Sequence, residues 1–450
     1  MLVRSRRTLF AIACTCVAML GLGCSTSSPS REAEGPESTP SALTTSPTPS
    51  SAESPGPSEA AVPSGQRIQG AFFGMHDGLV SQGIAPDAPI GALRLWDSGT
   101  SWRDLEKSPG VFTWTTLDTA VDTAERMKAR PLLVLGQTPA FHASKPREEA
   151  PYGPGAASMP DLGAWRRYVT AVAERYGNRI DYQIWNEANV VQYWTGTPRQ
   201  MARLTLTASE AIREVVPKAT IVAPAFPVRL ESQQDYFADF WSLQSTRVDL
   251  AGAVDAVSVQ LYPPADGLPE DQATLLDTVR QVLAENGIDL PVWNTEINFG
   301  LLGGPEPPPI SAELQRAFVM RTYLLDAGLG LSRVYWYSWN IGRIANTYLT
   351  EEDLTTETLA GRSFDVLRDW LDGTRVEGCT LGDGEPGVWE CVARGAGQVR
   401  TFWWKPRGPA VRVAAPDATS WSDADGAVNR CRGSCRVPVG VTPVMVVRPA

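Results

Sequence analysis

Between Arg67 and Leu371 eight short apolar runs recur, and this repetition constrains the fold more than anything else in the chain. They cover residues 70–75, 92–96, 131–136, 181–185, 220–225, 253–262, 291–295 and 332–339. A strand that is apolar at consecutive positions has no face to give to water, so it must be covered on both sides. The cover is encoded between the runs. Val121, Ala124 and Met127 are one set at helical spacing, Trp165, Tyr168, Val169, Val172 and Tyr176 a second, and Leu314, Phe318, Leu324 and Leu325 a third. Eight strand–helix units in roughly 300 residues predict an α/β fold, a (β/α)8 TIM barrel. An open doubly wound sheet uses similar units, but no glycine-rich phosphate loop follows the first run. Residues 77–89 have weak helical periodicity, so the first outer helix should be short or missing. The long Pro/Gly-rich loops 138–160 and 298–309 should rise over the C-terminal mouth.

The flanks of this region read differently. Arg4, Arg6 and Arg7 precede an apolar stretch at 9–22 that is too short to span a bilayer. Ser5-Arg6-Arg7-Thr8-Leu9-Phe10 resembles a twin-arginine export signal, and the general export route is the alternative. The stretch ends in Leu20-Gly21-Leu22-Gly23-Cys24, similar to a bacterial lipoprotein box, so residues 1–24 are expected to be a signal peptide with Cys24 acylated. Plain secretion is the other reading. Residues 25–66 are Ser, Pro and Thr with almost no bulky apolar side chain, a composition that cannot offset ordering entropy. They predict a disordered tether, and the protein an extracytoplasmic location, with a lipid anchor as its only membrane contact. The net charge of −10 makes nucleic acid an unsuitable partner. Neutral sugars are compatible with it, and nothing in the pattern calls for a second copy of the chain.

The barrel is expected over 67–372 and a small β-sandwich over 373–450, with strands near 387–392, 399–404, 410–413 and 442–447. Of the seven cysteines, Cys379, Cys391, Cys431 and Cys435 fall in this last segment. In an exported module they suggest two disulfides, Cys379–Cys391 with Cys431–Cys435 being the nearest-neighbour choice among three pairings. A zinc site would want other spacing and a nearby histidine.

In a barrel of this kind the C-terminal strand ends face the active site. Those ends carry His76; Arg94 and Asp97; Gln137 with His142 beyond it; Asn186 and Glu187; Gln260 and Tyr262; Asn294, Thr295 and Glu296; and Trp336 and Trp339. Two glutamates, on the fourth and seventh runs, could meet across the mouth. Paired carboxylates about 5–5.5 Å apart cleave glycosidic bonds through a covalent intermediate, and those about 6.5–9.5 Å apart activate a water instead. Neither route needs a metal or organic cofactor.

Ile184-Trp185-Asn186-Glu187-Ala188-Asn189, continuing to Pro198, resembles glycoside hydrolase clan A, most closely family 39 and its bacterial relatives. So do Arg94-Leu95-Trp96-Asp97-Ser98-Gly99 and Val334-Tyr335-Trp336-Tyr337-Ser338-Trp339. The resemblance implies a retaining glycosidase acting on an oligo- or polysaccharide. It makes Glu187 the acid/base, Glu296 the nucleophile held ionised by Arg94 and Tyr262, and Asn186 the partner of the sugar 2-hydroxyl. Trp336 or Trp339 would floor the sugar, with Trp339 preferred as nearer the rim. His76 and His142 would contact substrate. Two positions depart from the family pattern: Gln260 stands where a histidine is frequent, and Ala188 where proline is usual. Tyr152, Tyr193, Trp194 and Phe141 are candidate sugar platforms or ordinary loop packing. A silent carbohydrate binder and an envelope-glycan transglycosylase are the competing functions.

Overall fold

The structure is a computed structural model that describes residues 65, 67–246, 248–300, 310–340, 347–382 and 384–450. The signal, Cys24, nearly all of the tether and the end of the 298–309 loop lie outside the described residues. Eight strands close into a parallel barrel: β1 Phe73–Met75, β2 Ala92–Leu95, β3 Arg130–Leu135, β4 Asp181–Ile184, β5 Ile221–Pro227, β6 Ala256–Gln260, β7 Val292–Ile297 and β8 Arg333–Trp336. Each pairs with its sequence neighbours and β8 pairs with β1. The first run starts as a 3-10 turn, Gly70–Phe72, so β1 is only three residues long. The 77–89 connection holds a single 3-10 turn, Val80–Gln82. The expected gap in the helical ring is present.

The helices are α1 Trp102–Leu105, α2 Thr115–Arg126, α3 Leu162–Tyr176, α4 Pro198–Val215, α5 Glu231–Ser242, α6 Leu250–Ala253, α7 Gln272–Glu285, α8 Ala312–Gly328 and α9 Leu359–Leu371. Their starts follow local rules. Thr197 accepts from the Gln200 amide while Gln200 reaches back to Thr197, with Pro198 at the first helical position, where its missing N–H costs nothing. Asp161 caps α3 through the Ala164 amide. Helix α8 is buried around most of its circumference because the barrel covers one side and the C-terminal sheet the other.

That C-terminal region contains more strands than its sequence announces: β9 Arg375–Leu381, β10 Trp389–Gly395, β11 Gln398–Trp404, β12 Val411–Ala415, β13 Ser420–Ser422, β14 Val428–Arg430, β15 Cys435–Val439 and β16 Val444–Pro449. Six form an antiparallel sheet in the order β9-β10-β11-β16-β13-β14, and β12–β15 form a second sheet. Trp403, Val437, Val439, Val444 and Val446 fill the space between them. The opposite face meets the barrel: Trp370 of α9 stacks on Phe402, and the Trp404 indole donates to Glu270 in the loop after β6. Cys379 bonds Cys391 across β9 and β10, and Cys431 bonds Cys435.

Candidate active site

The barrel interior is layered. Ala92, Leu132, Val222, Ala256, Trp293 and Tyr335 make an apolar floor. Two residues further along β2, β6 and β7 the interior turns polar, and Gln183 of β4 joins it: Arg94 Nε donates to Gln183 (2.6 Å), Gln183 donates to Ser258 (2.7 Å), and Ser258 meets the Thr295 hydroxyl (2.7 Å). A strand presents alternate residues inward, so these positions lie directly above the apolar ones. This layer is a platform for the Arg94 guanidinium.

Arg94 gathers the site. It is fully buried, and Nη1 donates to Glu296 Oε2 (2.7 Å) while Nη2 donates to Asn186 Oδ1 (2.7 Å). Tyr262 donates to Glu296 Oε1 (3.0 Å), and Gln260 Nε2 spans Asn186 Oδ1 (3.2 Å) and Glu296 Oε2 (3.3 Å). Gln260 therefore fills its position with a neutral donor. His76 Nε2 lies 3.2 Å from the Thr295 carbonyl and 3.5 Å from Arg94. Burial and the adjacent Arg94 charge hold its imidazole well below the usual histidine range, so it is neutral.

The strand ends bend to deliver these groups. Asp97 (φ 57°), Gln137 (φ 62°), Trp185 (φ 70°) and Glu187 (φ 46°) all occupy the left-handed region after β2, β3 and β4. Such conformations in non-glycine residues cost of order 1–3 kcal/mol each and cluster where function demands them. Trp185 turns its indole away from the mouth, donating to the Tyr193 carbonyl (2.9 Å) and packing on Trp194 and Trp165, which leaves Asn186 and Glu187 at the opening. Ala188 donates its amide to the Ala225 carbonyl (2.9 Å), a bond that a proline there could not make.

The two glutamates sit in unlike surroundings. Glu296 is bonded by Arg94, Tyr262 and Gln260; among the described residues no side chain bonds the Glu187 carboxyl, which is half-buried. Burial, then the charge of Glu296, push Glu187 up to about 8, against the pull of Arg94. Burial also raises Glu296, while Arg94 and the Tyr262 hydroxyl draw it down. Burial beside Glu296 keeps the Tyr262 phenol protonated, well above its ordinary range.

Three sequence expectations are corrected. Trp336 follows the inward-facing Tyr335 on β8, so alternation sends it outward, where it is fully buried against Phe299, itself packed on Phe318 of α8. Trp339 packs on Phe364 of α9. Between them Tyr337 is the residue that faces the mouth: it meets His76 at 4.8 Å between ring centroids and donates to Asp97 (2.8 Å). The inward set Arg333, Tyr335, Tyr337 would have revealed it. His142 stacks on Trp102 and bonds Glu106 (3.1 Å), which also accepts the Trp102 indole N–H. It fastens the 138–160 loop to α1 instead of reaching the constellation. That loop carries Tyr152, whose hydroxyl bonds Asp97 and whose ring meets Trp96 and Tyr193. Trp194 is a packing residue, buried on Trp185 and bonded to Tyr236 (2.9 Å), and Phe141 packs edge-on against His142. Among the described residues no group of three or more His, Cys, Asp or Glu side chains is arranged to hold a metal ion.

The sequence from 92 to 341 matches the family described as glycosyl hydrolases family 39. No curated protein sequence matches the chain. Similar solved structures include a glucosidase from Croceicoccus marinus (15% identity, TM-score 0.61, covering 85% of this chain and 97% of that one). A GH39 enzyme from Xanthomonas axonopodis pv. citri is similar at 14% identity and TM-score 0.60, covering 86% of this chain and 96% of that one. A monomeric β-xylosidase from Caulobacter crescentus CB15 is similar at 14% identity and TM-score 0.61, covering 85% and 97%. At such identities these likenesses speak for the fold.

Proposed function

Given that the chain belongs to glycosyl hydrolases family 39 and is a glycosidase, we propose that it works by double displacement, with Glu296 as nucleophile and Glu187 as acid/base. The observation that carries this reading is the pairing of unlike carboxyls: Glu296 bonded by Arg94 and Tyr262, and Glu187 lifted to about 8 beside it. When the pair shares one proton, Glu187 holds it, because Arg94 stabilises charge on Glu296. Glu296 then attacks the anomeric carbon while Glu187 protonates the departing oxygen; Glu187, now ionised, deprotonates the incoming water in the second step. Asn186 has its amide oxygen fixed by Arg94 and Gln260, which leaves its N–H2 to donate to the 2-hydroxyl. Tyr337 is the aromatic floor. The substrate is an oligo- or polysaccharide, the protein acts as a monomer, and residues 1–66 place it outside the cytoplasm, tethered through Cys24.

Azide separates the two roles. In Glu187→Ala, an aryl glycoside with a good leaving group should still glycosylate the enzyme, and azide should release a glycosyl azide of retained configuration. In Glu296→Ala, azide should give the inverted product. Equal losses on good and poor leaving groups, with no azide product from either variant, would contradict the assignment and favour a carbohydrate binder without turnover.

A further inference from the structure

The space beside Glu296 is rich in acceptors, and most of its donors are already engaged. Arg94 is committed to Gln183, Glu296 and Asn186. The Tyr262 hydroxyl donates to Glu296, and those of Tyr337 and Tyr152 donate to Asp97. Left over are acceptors, beside the Asn186 N–H2 and the proton on Glu187. Asp97 stands exposed at the end of β2, each of its oxygens taking one tyrosine hydroxyl, whereas an ionised carboxylate has about four lone-pair sites. Gln260 Oε1 is buried with no partner among the described residues, and the amide cannot turn, because Nε2 is held by two acceptors, Asn186 Oδ1 and Glu296 Oε2. A buried acceptor left unmade is costly, so this one is waiting for a donor.

Resting on the glycosidase reading, we propose that Asp97 is a sugar-binding residue and that the glycone it accepts is a neutral or amino sugar, not a uronate. Sugar hydroxyls and an ammonium group supply the donors that Asp97 and Gln260 lack. A uronate carboxylate brings only acceptors, and it would enter beside Glu296 and Asp97 with the one adjacent guanidinium already bonded. Asp97 is near enough to Glu187 and Glu296 for its charge to raise both, and an added anion would meet all three. Arg229, past the end of β5, draws Glu187 down by its charge, and tight hexuronate binding would mean that it reaches the glycone. The left-handed backbone at Asp97 is what turns this carboxylate into the mouth.

The test is binding by calorimetry to the full chain carrying Glu187→Gln, using methyl glycosides of both anomers of a pentose, a hexose, a hexosamine and a hexuronic acid. At least one neutral or amino sugar should bind about ten-fold or more tightly than the hexuronate, the worth of one charge-assisted hydrogen bond. Adding Asp97→Asn should weaken that sugar by about ten-fold and narrow its lead over the hexuronate. Adding Tyr152→Phe, which removes only the clamp on Asp97, should do neither. Hexuronate binding as tight as the best neutral sugar would overturn the proposal. So would indifference to Asp97→Asn, an equal effect of Tyr152→Phe, or binding of none of the sugars. Asp97-dependent binding in a wild-type chain that turns over no aryl glycoside would keep this inference and sink the hydrolase reading. Turnover with intact azide chemistry but no Asp97 effect would do the reverse.

Discussion

At the start of β4, Asp181 is buried and fully answered: one oxygen meets Arg130 (2.6 and 2.9 Å), the other Arg333 (2.7 Å), whose guanidinium lies 4.0 Å over the Trp293 ring. Just beyond the end of the same strand, Glu187 sits in a left-handed backbone, and no side chain among the described residues bonds its carboxyl. Only a few residues separate the two acids. The lower one is neutralised by two arginines, an arrangement that fixes the ends of β3, β4 and β8 together. The upper one is left in conflict with a second carboxylate, so that it holds a proton at neutral pH. Stability is therefore concentrated at the base of the barrel and chemistry at its mouth. Strain and unpaired polar atoms are tolerated where substrate can complete them.

The sharpest way to break this comparison is to remove each acid and see which property fails. Glu296→Gln should abolish turnover on every substrate while leaving the thermal midpoint near that of the wild type; circular dichroism melts beside rate assays check both. Glu187→Ala should cost about 10²–10⁴-fold on poor leaving groups, and far less in the first step on activated ones, as stopped-flow release of the aryl group would show. Asp181→Ala should invert the pattern. Leaving two arginines without their shared partner should destabilise by roughly 3 kcal/mol, seen as a lower urea midpoint, with the kcat of the surviving folded enzyme little changed. A large kcat loss from Asp181→Ala would mean that the two ends are not separable.

Much of this division was legible in the sequence, and its limits have physical causes. All eight runs became barrel strands, because strands apolar on both faces have few other environments available. Arg94, Asn186, Gln260, Tyr262 and Glu296 converge since each stands at or next to a strand end, where topology decides position. The tryptophans misled because hydrophobic size does not report direction. Trp336 is outward by simple alternation from Tyr335, and Tyr337 inherits the inward position. His142 misled because it lies in a loop, where nothing in the sequence announces that Trp102 and Glu106 will capture it. The short strands β13 and β14 escaped notice because three residues leave little hydrophobic pattern to read: β13 carries one half-buried tryptophan between two serines, and β14 is exposed throughout.

A smaller effect sharpens the comparison through pH. Between the ordinary carboxylate range and about 8, the folded chain keeps a proton on Glu187 that the unfolded chain has released. Stability should consequently decline as pH rises through that window. Glu187→Gln, which cannot ionise, should flatten the decline and stabilise the protein by roughly 1–2 kcal/mol at the alkaline end. Denaturant titrations at intervals of pH would reveal it, and an identical slope in both proteins would show that Glu187 is not raised. The same group should set the alkaline limb of kcat/KM near 8, and Glu187→Gln should lose that limb.

The central claim is that Glu296, and no other carboxylate at the mouth, takes the sugar. It is tested most directly by incubating the wild-type chain with an activated 2-deoxy-2-fluoro glycoside of its preferred sugar. The fluorine slows both steps by destabilising their oxocarbenium-like transition states, and the good leaving group restores only the first, so the intermediate should accumulate. Peptide mass mapping should then find one added glycosyl mass, on the peptide containing Glu296, and the mark should disappear in Glu296→Gln. A mark on Glu187 or Asp97, or turnover with inversion and no mark anywhere, would contradict the account.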